Sequence, residues 1–339
     1  MAAKKNKKKG PHWFPFTWEK RPQPLLSPSP HHFVSRNIYE PSVLFDGTTN
    51  LMLFRGESRH EPPTGCVGRL GMGVSRNGID FECRAEPSLV PDAPYEAYGL
   101  AHPRLTLAGG VFILTYSAFD GTNYRLCLAT SSDMVHWYRH GPIFPEFEER
   151  NINTSSASIL SAPCADGHYY MYVGAGDLYV ATSKNLIDWN LQSKPVLNRK
   201  KCGDFASKSI DPGPAPFPTK NGIVLILNGT DRRNHTRVFA ALFNSEEPKK
   251  CLAHLNKPCL SAESDWERFG YMPNVVRATG LSLRDGEFRL YYSGADRYIG
   301  MATAPVPKGY IAEVEAEEEA PKASEAEEDK KEKVKICGV

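Results

Sequence analysis

The chain repeats itself, and the repeat limits what it can fold into. "RLGMGVSRNGIDFE" (69–82), "RLCLATSSDMVHWY" (125–138) and "LYVATSKNLIDWN" (178–190) share one plan, and "YIGMATAP" (298–305) is a truncated fourth copy. Each reads as a short apolar strand, a Ser-x-Asn/Asp turn, then an outer strand bearing an aromatic. These elements follow hairpins of a second kind, which occur five times, at 39–56, 101–118, 156–175, 211–229 and 272–294. Each hairpin opens with a small or polar cluster and continues as an apolar strand. A turn rich in Gly, Asp or Asn follows, then a strand heavy in Val, Ile, Leu, Phe and Tyr.

A spacing of about 40–60 residues is that of propeller blades. Each unit is a small antiparallel sheet that cannot bury both faces alone. Stacked radially, five such units cover one another and leave only short, protected edges. The prediction is an all-β, five-bladed β-propeller over residues 36–310, with no helix of note. Gly and Pro, at 27 each in 339 residues, suit many short elements joined by turns. In a β-sandwich the matching Ser-x-Asn/Asp copies would be coincidence.

The ends read differently. Residues 1–35 form a basic, Pro-rich extension that begins with "KKNKKKG", and 311–339 form an acidic, Lys-rich tail. The charged runs have no core to fold around, so disordered tails are expected. The lysines read as a solubilising run, and neither a nucleic-acid nor a membrane partner is expected. Eight cysteines at irregular spacing, with no C-x-x-C pair, argue against a zinc site or a disulfide framework. No signal-peptide core follows the lysines and no apolar stretch reaches membrane-spanning length. A reduced, cytosolic protein without metal or other cofactor is the expectation.

The first strand of each blade lines the central channel, so the residues at its start gather at one mouth. Glu40, His102, Ser156, Asp211 and Asn274 hold roughly equivalent places in the five hairpins. They should converge near the axis, where polar groups can be both buried and solvated.

The ordered set "FRG" (54–56), "RLGMGVSRNGIDF" (69–81), "HPRLT" (102–106), "DPGPAPF" (211–217), "NG" (228–229), "NVV" (274–276) and "YYSGAD" (291–296) resembles the five-bladed inverting β-mannoside phosphorylases, a family that includes β-1,2-mannosidases. Within that family the chain is most similar to the eukaryotic dual-activity mannosyltransferase/phosphorylases. The resemblance implies transfer of mannose from GDP-mannose or mannose 1-phosphate to β-1,2-mannan oligosaccharides, and cleavage of these with phosphate. A β-1,2-mannosidase and a non-catalytic mannan-binding propeller are the rivals. Three departures stand out. The family's proton donor is an aspartate directly before Pro-Arg, where this chain has His102. Its lysine and histidine in blade four are replaced by Ser209 and Asn228. Its blade-three arginines are not evident in "YYMYVGA" (169–175).

Inverting cleavage needs a proton shuttle, and a hydrolase also needs a base. A phosphorylase replaces the base with cationic donors that hold phosphate. His102 suits the shuttle because imidazole titrates near neutrality, although a structural histidine fits the same place. Glu96, with Asp92 just upstream of it, is the second candidate, and Asp211 is a possible base. By resemblance Arg55 and Arg69 face sugar and phosphate, and Asp296 and Asn274 grip mannose. Arg104 either touches substrate or holds blades together. Lys208 and His235 could add to the phosphate site. Trp266 and Tyr271 are candidates for stacking on a sugar ring, whereas Phe81, Trp137 and Trp189 read as blade packing.

Overall fold

The computed structural model describes residues 10–30, 33–58, 66–144 and 154–312. The first strand, β1 (Glu19–Lys20), belongs to the last sheet. Blade one follows as β2 (Asn37–Phe45), β3 (Asn50–Glu57), β4 (Arg69–Ser75) and β5 (Glu82–Cys83). Blade two is β6 (Gly99–Ala108), β7 (Val111–Phe119), β8 (Tyr124–Ser131) and β9 (Tyr138–Pro142). Blade three is β10 (Ala157–Ile159), β11 (Tyr169–Val173), β12 (Tyr179–Ser183) and β13 (Asn190–Leu191). Blade four is β14 (Ser209–Pro212), β15 (Phe217–Thr219), β16 (Gly222–Thr230), β17 (Thr236–Phe243) and β18 (Cys251–His254). Blade five is β19 (Val276–Arg284), β20 (Glu287–Gly294) and β21 (Tyr298–Pro305), and β1 is its outer strand. One short helical turn, α1 (Asp265–Arg268), precedes blade five. The five-bladed, all-β architecture expected from the repeats is the one found.

The repeated turns share their chemistry. Ser75 Oγ accepts the Gly78 N–H, and Asn77 Oδ1 accepts those of Ile79 and Asp80, each at 2.9 Å. The same pattern recurs at Ser131/Asp133 and at Ser183/Asn185. All three turns need one left-handed residue, at φ +68° for Gly78, +64° for Met134 and +67° for Leu186. The latter two cost about 1–2 kcal/mol each in backbone strain. Their buried side chains and the side-chain-to-backbone bonds offset it.

Five apolar clusters fill the five seams between neighbouring blades. Phe81, Trp137 and Trp189 pack against three of them, as their recurrence predicted. The seam between blades four and five also takes Trp13, Phe14, Phe16 and Trp18, all buried.

That packing corrects the expected boundary at residue 36. Glu19 and Lys20 pair with Thr303 and Ala302, so the chain start closes the ring through the last blade. A circular sheet array must join its two ends, and a strand from the far terminus does so without leaving an edge. The alternation of Phe14, Phe16 and Trp18 just ahead of β1 is a strand-like signal, interrupted by Pro15. The lysine run before residue 10 and the acidic tail from 313 onward lie outside the described residues.

A candidate active site at the channel mouth

The channel is stitched blade to blade. The Leu105 N–H donates to Ser42 Oγ (2.7 Å), Thr115 Oγ1 to the Ala157 carbonyl (2.8 Å) and Ser158 Oγ to the Gly213 carbonyl (2.6 Å). Asn228 bonds Ala278 through both ends of its amide (3.0 and 2.8 Å). Thr279 Oγ1 closes the circle on the Pro41 carbonyl at 2.7 Å. The inner strands are therefore held rigidly enough to present side chains with little freedom.

Two of those strands open on a strained bulge. Glu40 and His102 each precede a proline and take positive φ, +54° and +50°. The register slips beside them, between Tyr39 and Ser42 and between Ala101 and Arg104. A bulge turns a side chain out of the ladder, and non-glycine residues in this region persist only where neighbours enforce it. Here the neighbours are other blades. The Glu40 N–H donates to Ser293 Oγ (2.8 Å), and the His102 N–H donates to Glu40 Oε2 (2.9 Å). The strain aims both side chains at the mouth.

His102 is gripped at both ring nitrogens. Nδ1 lies 3.0 Å from Ser117 Oγ, which itself donates to the Ser155 carbonyl, and Nε2 lies 3.3 Å from Glu40 Oε1. Burial lowers the imidazole to about 4, against the pull of Glu40, so the ring is neutral at neutral pH. Burial alone would raise the Glu40 carboxyl. The charge of His102, Arg55 and Arg277 and the His102 N–H outweigh it and hold Glu40 down at about 2.

Around this pair stand three guanidiniums and three further carboxyls. Arg55 reaches Glu57 (2.7 Å) and Glu40 (3.8 Å) over the Tyr39 ring, yet its buried Nε has no partner. Arg277 bonds Asp211 at 2.6 Å. Arg104 lies on the axis, 2% exposed, and donates to the carbonyls of Pro103, Pro212 and Gly213 and to Ser156 Oγ. Glu40, Glu57 and Asp211 balance the three cations. Asp296 is a fourth carboxyl, and among the described residues it has no ion-pair partner. Burial therefore pushes it up to about 7, despite Arg277, and its Oδ1 is sealed from water with no partner.

Glu40 thus meets His102 directly, and Ser156 and Asp211 meet on Arg104, two residues further along the same strand as His102. Arg55 and Asp296 join them. Arg69 stands opposite Gly56 at the start of β4, one position from Arg55 along β3. Asn274, also at positive φ (+58°), receives the Thr236 N–H on its carbonyl. Tyr271 is 46% exposed, with the Arg36 guanidinium 4.9 Å from its ring centre.

Three expectations need correction, and for Arg104 the second of its two readings holds. Glu96 is fully buried inside blade two and takes bonds from Tyr116 Oη (2.7 Å), the Asp92 N–H (2.8 Å) and Arg139 (2.5 Å). A carboxylate so occupied is structural. Arg104 is the channel plug and holds blades two, three and four together. Lys208 and His235 sit at the β16–β17 hairpin, where their contacts run to Asn234 and Asp231 and not to the pocket. Trp266 stacks on Tyr292 and donates to the Pro22 carbonyl, so it anchors the N-terminal segment.

Sequence reasoning did not single out Arg277, Glu57, Ser117 or Tyr124. Arg277 lies in "NVVRATG" and reads as blade strand. Its only sequence signal is a cation two residues before the bulge in β19.

The five-bladed ring thus gathers a dense cluster of charged side chains at one mouth of its channel. The family of β-1,4-mannooligosaccharide phosphorylases, glycoside hydrolase family 130, matches residues 17–309, and the chain belongs to it. A 1,2-β-oligomannan phosphorylase of Thermoanaerobacter sp. is 29% identical over 286 residues, covering 83% of this chain and 94% of that relative. A solved glycosyl hydrolase from Bacteroides ovatus superposes with a TM-score of 0.78 at 25% identity, covering 88% of this chain and 96% of that one. The same TM-score, identity and coverage hold for a structure tied to the finding that family 130 contains glycoside hydrolases that target β-1,2 mannosidic linkages in Candida mannan.

Proposed function

We propose that this protein is an inverting β-1,2-mannooligosaccharide phosphorylase that frees the terminal mannose as mannose 1-phosphate. The observation that carries the reading is a pair of buried atoms without partners, Arg55 Nε and Asp296 Oδ1, in a pocket whose other charges are satisfied. A buried donor and a buried acceptor left open are costly unless a ligand completes them. Sugar hydroxyls do both, and a guanidinium beside them suits the phosphate.

In phosphorolysis a phosphate oxygen attacks the anomeric carbon, the C1–O bond breaks, and a proton goes to the departing oxygen. Arg55 draws the phosphate, while Asp296 and Asn274 hold the mannose; Arg69, opposite Gly56 in the register, projects from the other face of the sheet. His102 is the proton carrier through Nε2, where the substrate oxygen takes the place of the 3.3 Å contact with Glu40. As a neutral imidazole it readily takes the proton of an acceptor hydroxyl in the synthetic direction. In phosphorolysis it must first become imidazolium, so that direction quickens as pH falls towards 5. The closing experiment incubates β-1,2-mannobiose with and without phosphate. Mannose 1-phosphate, formed only with phosphate and about 10²–10⁴-fold more slowly by His102→Ala, is the expected result. A parallel incubation with GDP-mannose and an acceptor tests the nucleotide-sugar donor that the resemblance implied.

One observation favours a second reading, a β-1,2-mannosidase. Ser209 and Asn228 replace the family's lysine and histidine, and the Asn228 amide is committed to Asp211 (3.2 Å) and Ala278. Free mannose at equal rate with and without phosphate establishes that reading and overturns the first.

A further inference from the structure

Arg104 and its carbonyl partners fill the axis, so an oligosaccharide whose end sits at the channel mouth must leave across the rim. On blade two that rim is aromatic. Tyr124, at the start of β8, is 42% exposed, and its ring stacks on Phe119 at 4.3 Å and 14°. Tyr98, 41% exposed, meets Phe119 edge-on at 6.2 Å and lies against Gly121, whose φ of +97° suits glycine. The hairpin between is pinned by Asp120, which accepts the N–H groups of Thr122 and Asn123 (2.8 and 2.7 Å) and pairs with Arg125.

This rigid stack adjoins the site. The Tyr124 ring centre is 5.9 Å from that of His102, and its phenol lies within electrostatic reach of Arg55, Glu40 and Tyr271. An exposed ring held by packing from behind can cover the apolar face of a pyranose without losing its own freedom on binding. We propose that Tyr124 is the platform for the second sugar of the chain, the one on the departing side of the bond, with Tyr271 of the blade-five side closing over it. The proposal rests on the mannoside reading of the inner pocket and adds to it the residue that selects a chain over a lone mannose.

The synthetic direction separates the two sites, because mannose 1-phosphate fills the inner pocket and the acceptor fills the rim. Tyr124→Ala should raise the acceptor KM about 10-fold and leave the KM for mannose 1-phosphate within twofold, while Tyr124→Phe stays near wild type for both. Equal rises in both KM values, or no rise in either, overturn the platform. If the wild type makes no mannose 1-phosphate, calorimetric titration decides instead. Tyr124→Ala then weakens mannobiose about 10-fold without changing mannose, and a parallel loss of both sugars, or of neither, refutes the proposal. The phosphorylase reading fails on the wild-type product, and the platform fails only on the variant.

Discussion

Two buried charge clusters stand in blade five, one at its outer edge and one at its inner edge. At the outer edge Glu267 is fully buried and every oxygen is taken. Lys20 from the N-terminal strand reaches it at 2.7 and 2.9 Å, and Tyr292 Oη at 2.9 Å. The N–H groups of Glu263 and Ser264 add bonds of 2.6 and 2.9 Å. At the inner edge Asp296 leaves Oδ1 empty and retains a proton near neutrality. Glu267 comes from the helical turn ahead of blade five and Asp296 from its β20–β21 hairpin. The difference is saturation. A filled cluster fastens the fold, and an unfilled one waits for a ligand.

The sharpest break between them is in turnover. Asp296→Ala should lower kcat/KM for mannobiose about 10³–10⁴-fold, since a site built around a sugar hydroxyl loses its partner. Its melting temperature should move by no more than a degree or two, because Oδ1 has no bond to lose. A small kinetic effect with a large fall in Tm would reverse the assignment and make Asp296 a structural group.

Lys20→Met is the mirror experiment. Removing one partner of a buried pair leaves the other uncompensated, which costs about 3–5 kcal/mol. For a chain of this size that is a fall in Tm of about 10 °C. Activity per folded molecule should hold, because β1 lies on the outside of the ring. A loss of kcat at a temperature where the variant is fully folded would join the latch to the site.

The same contrast explains what could be read from the sequence. Ser75, Ser131 and Ser183 announced their turns because all the bonds they make lie within a few residues, and local chemistry repeats visibly. The places of Glu40, His102 and Asp211 at blade starts followed from the repeat as well. Glu96 looked equally promising, since a carboxylate near a strand start carries no mark of whether an arginine such as Arg139 waits 43 positions away. The closure by Glu19–Lys20 escaped for a related reason: its partners are at the other end of the chain. Tyr124 stayed hidden among hairpin residues, because exposure depends on which hairpins crowd it.

The smallest effect separates two groups of opposite sign inside the pocket itself. His102 titrates at about 4 when folded, below the roughly 6.5 of an unfolded chain, so its contribution to stability is present above about pH 6.5 and is lost as pH falls towards 4. Asp296 titrates at about 7 when folded, above the roughly 3.9 of an unfolded chain, so its contribution is present below about pH 4 and is lost as pH rises through 7. Between pH 4 and 7 the two slopes oppose each other. The wild type should therefore show a flatter Tm profile across that range than either single variant. In His102→Gln the Asp296 slope remains, and stability declines relative to wild type as pH rises. In Asp296→Asn the His102 slope remains, and stability climbs instead. The variants should diverge progressively from one end of the range to the other. Parallel profiles would mean that the two groups are not the opposed pair that the pocket's charge balance requires.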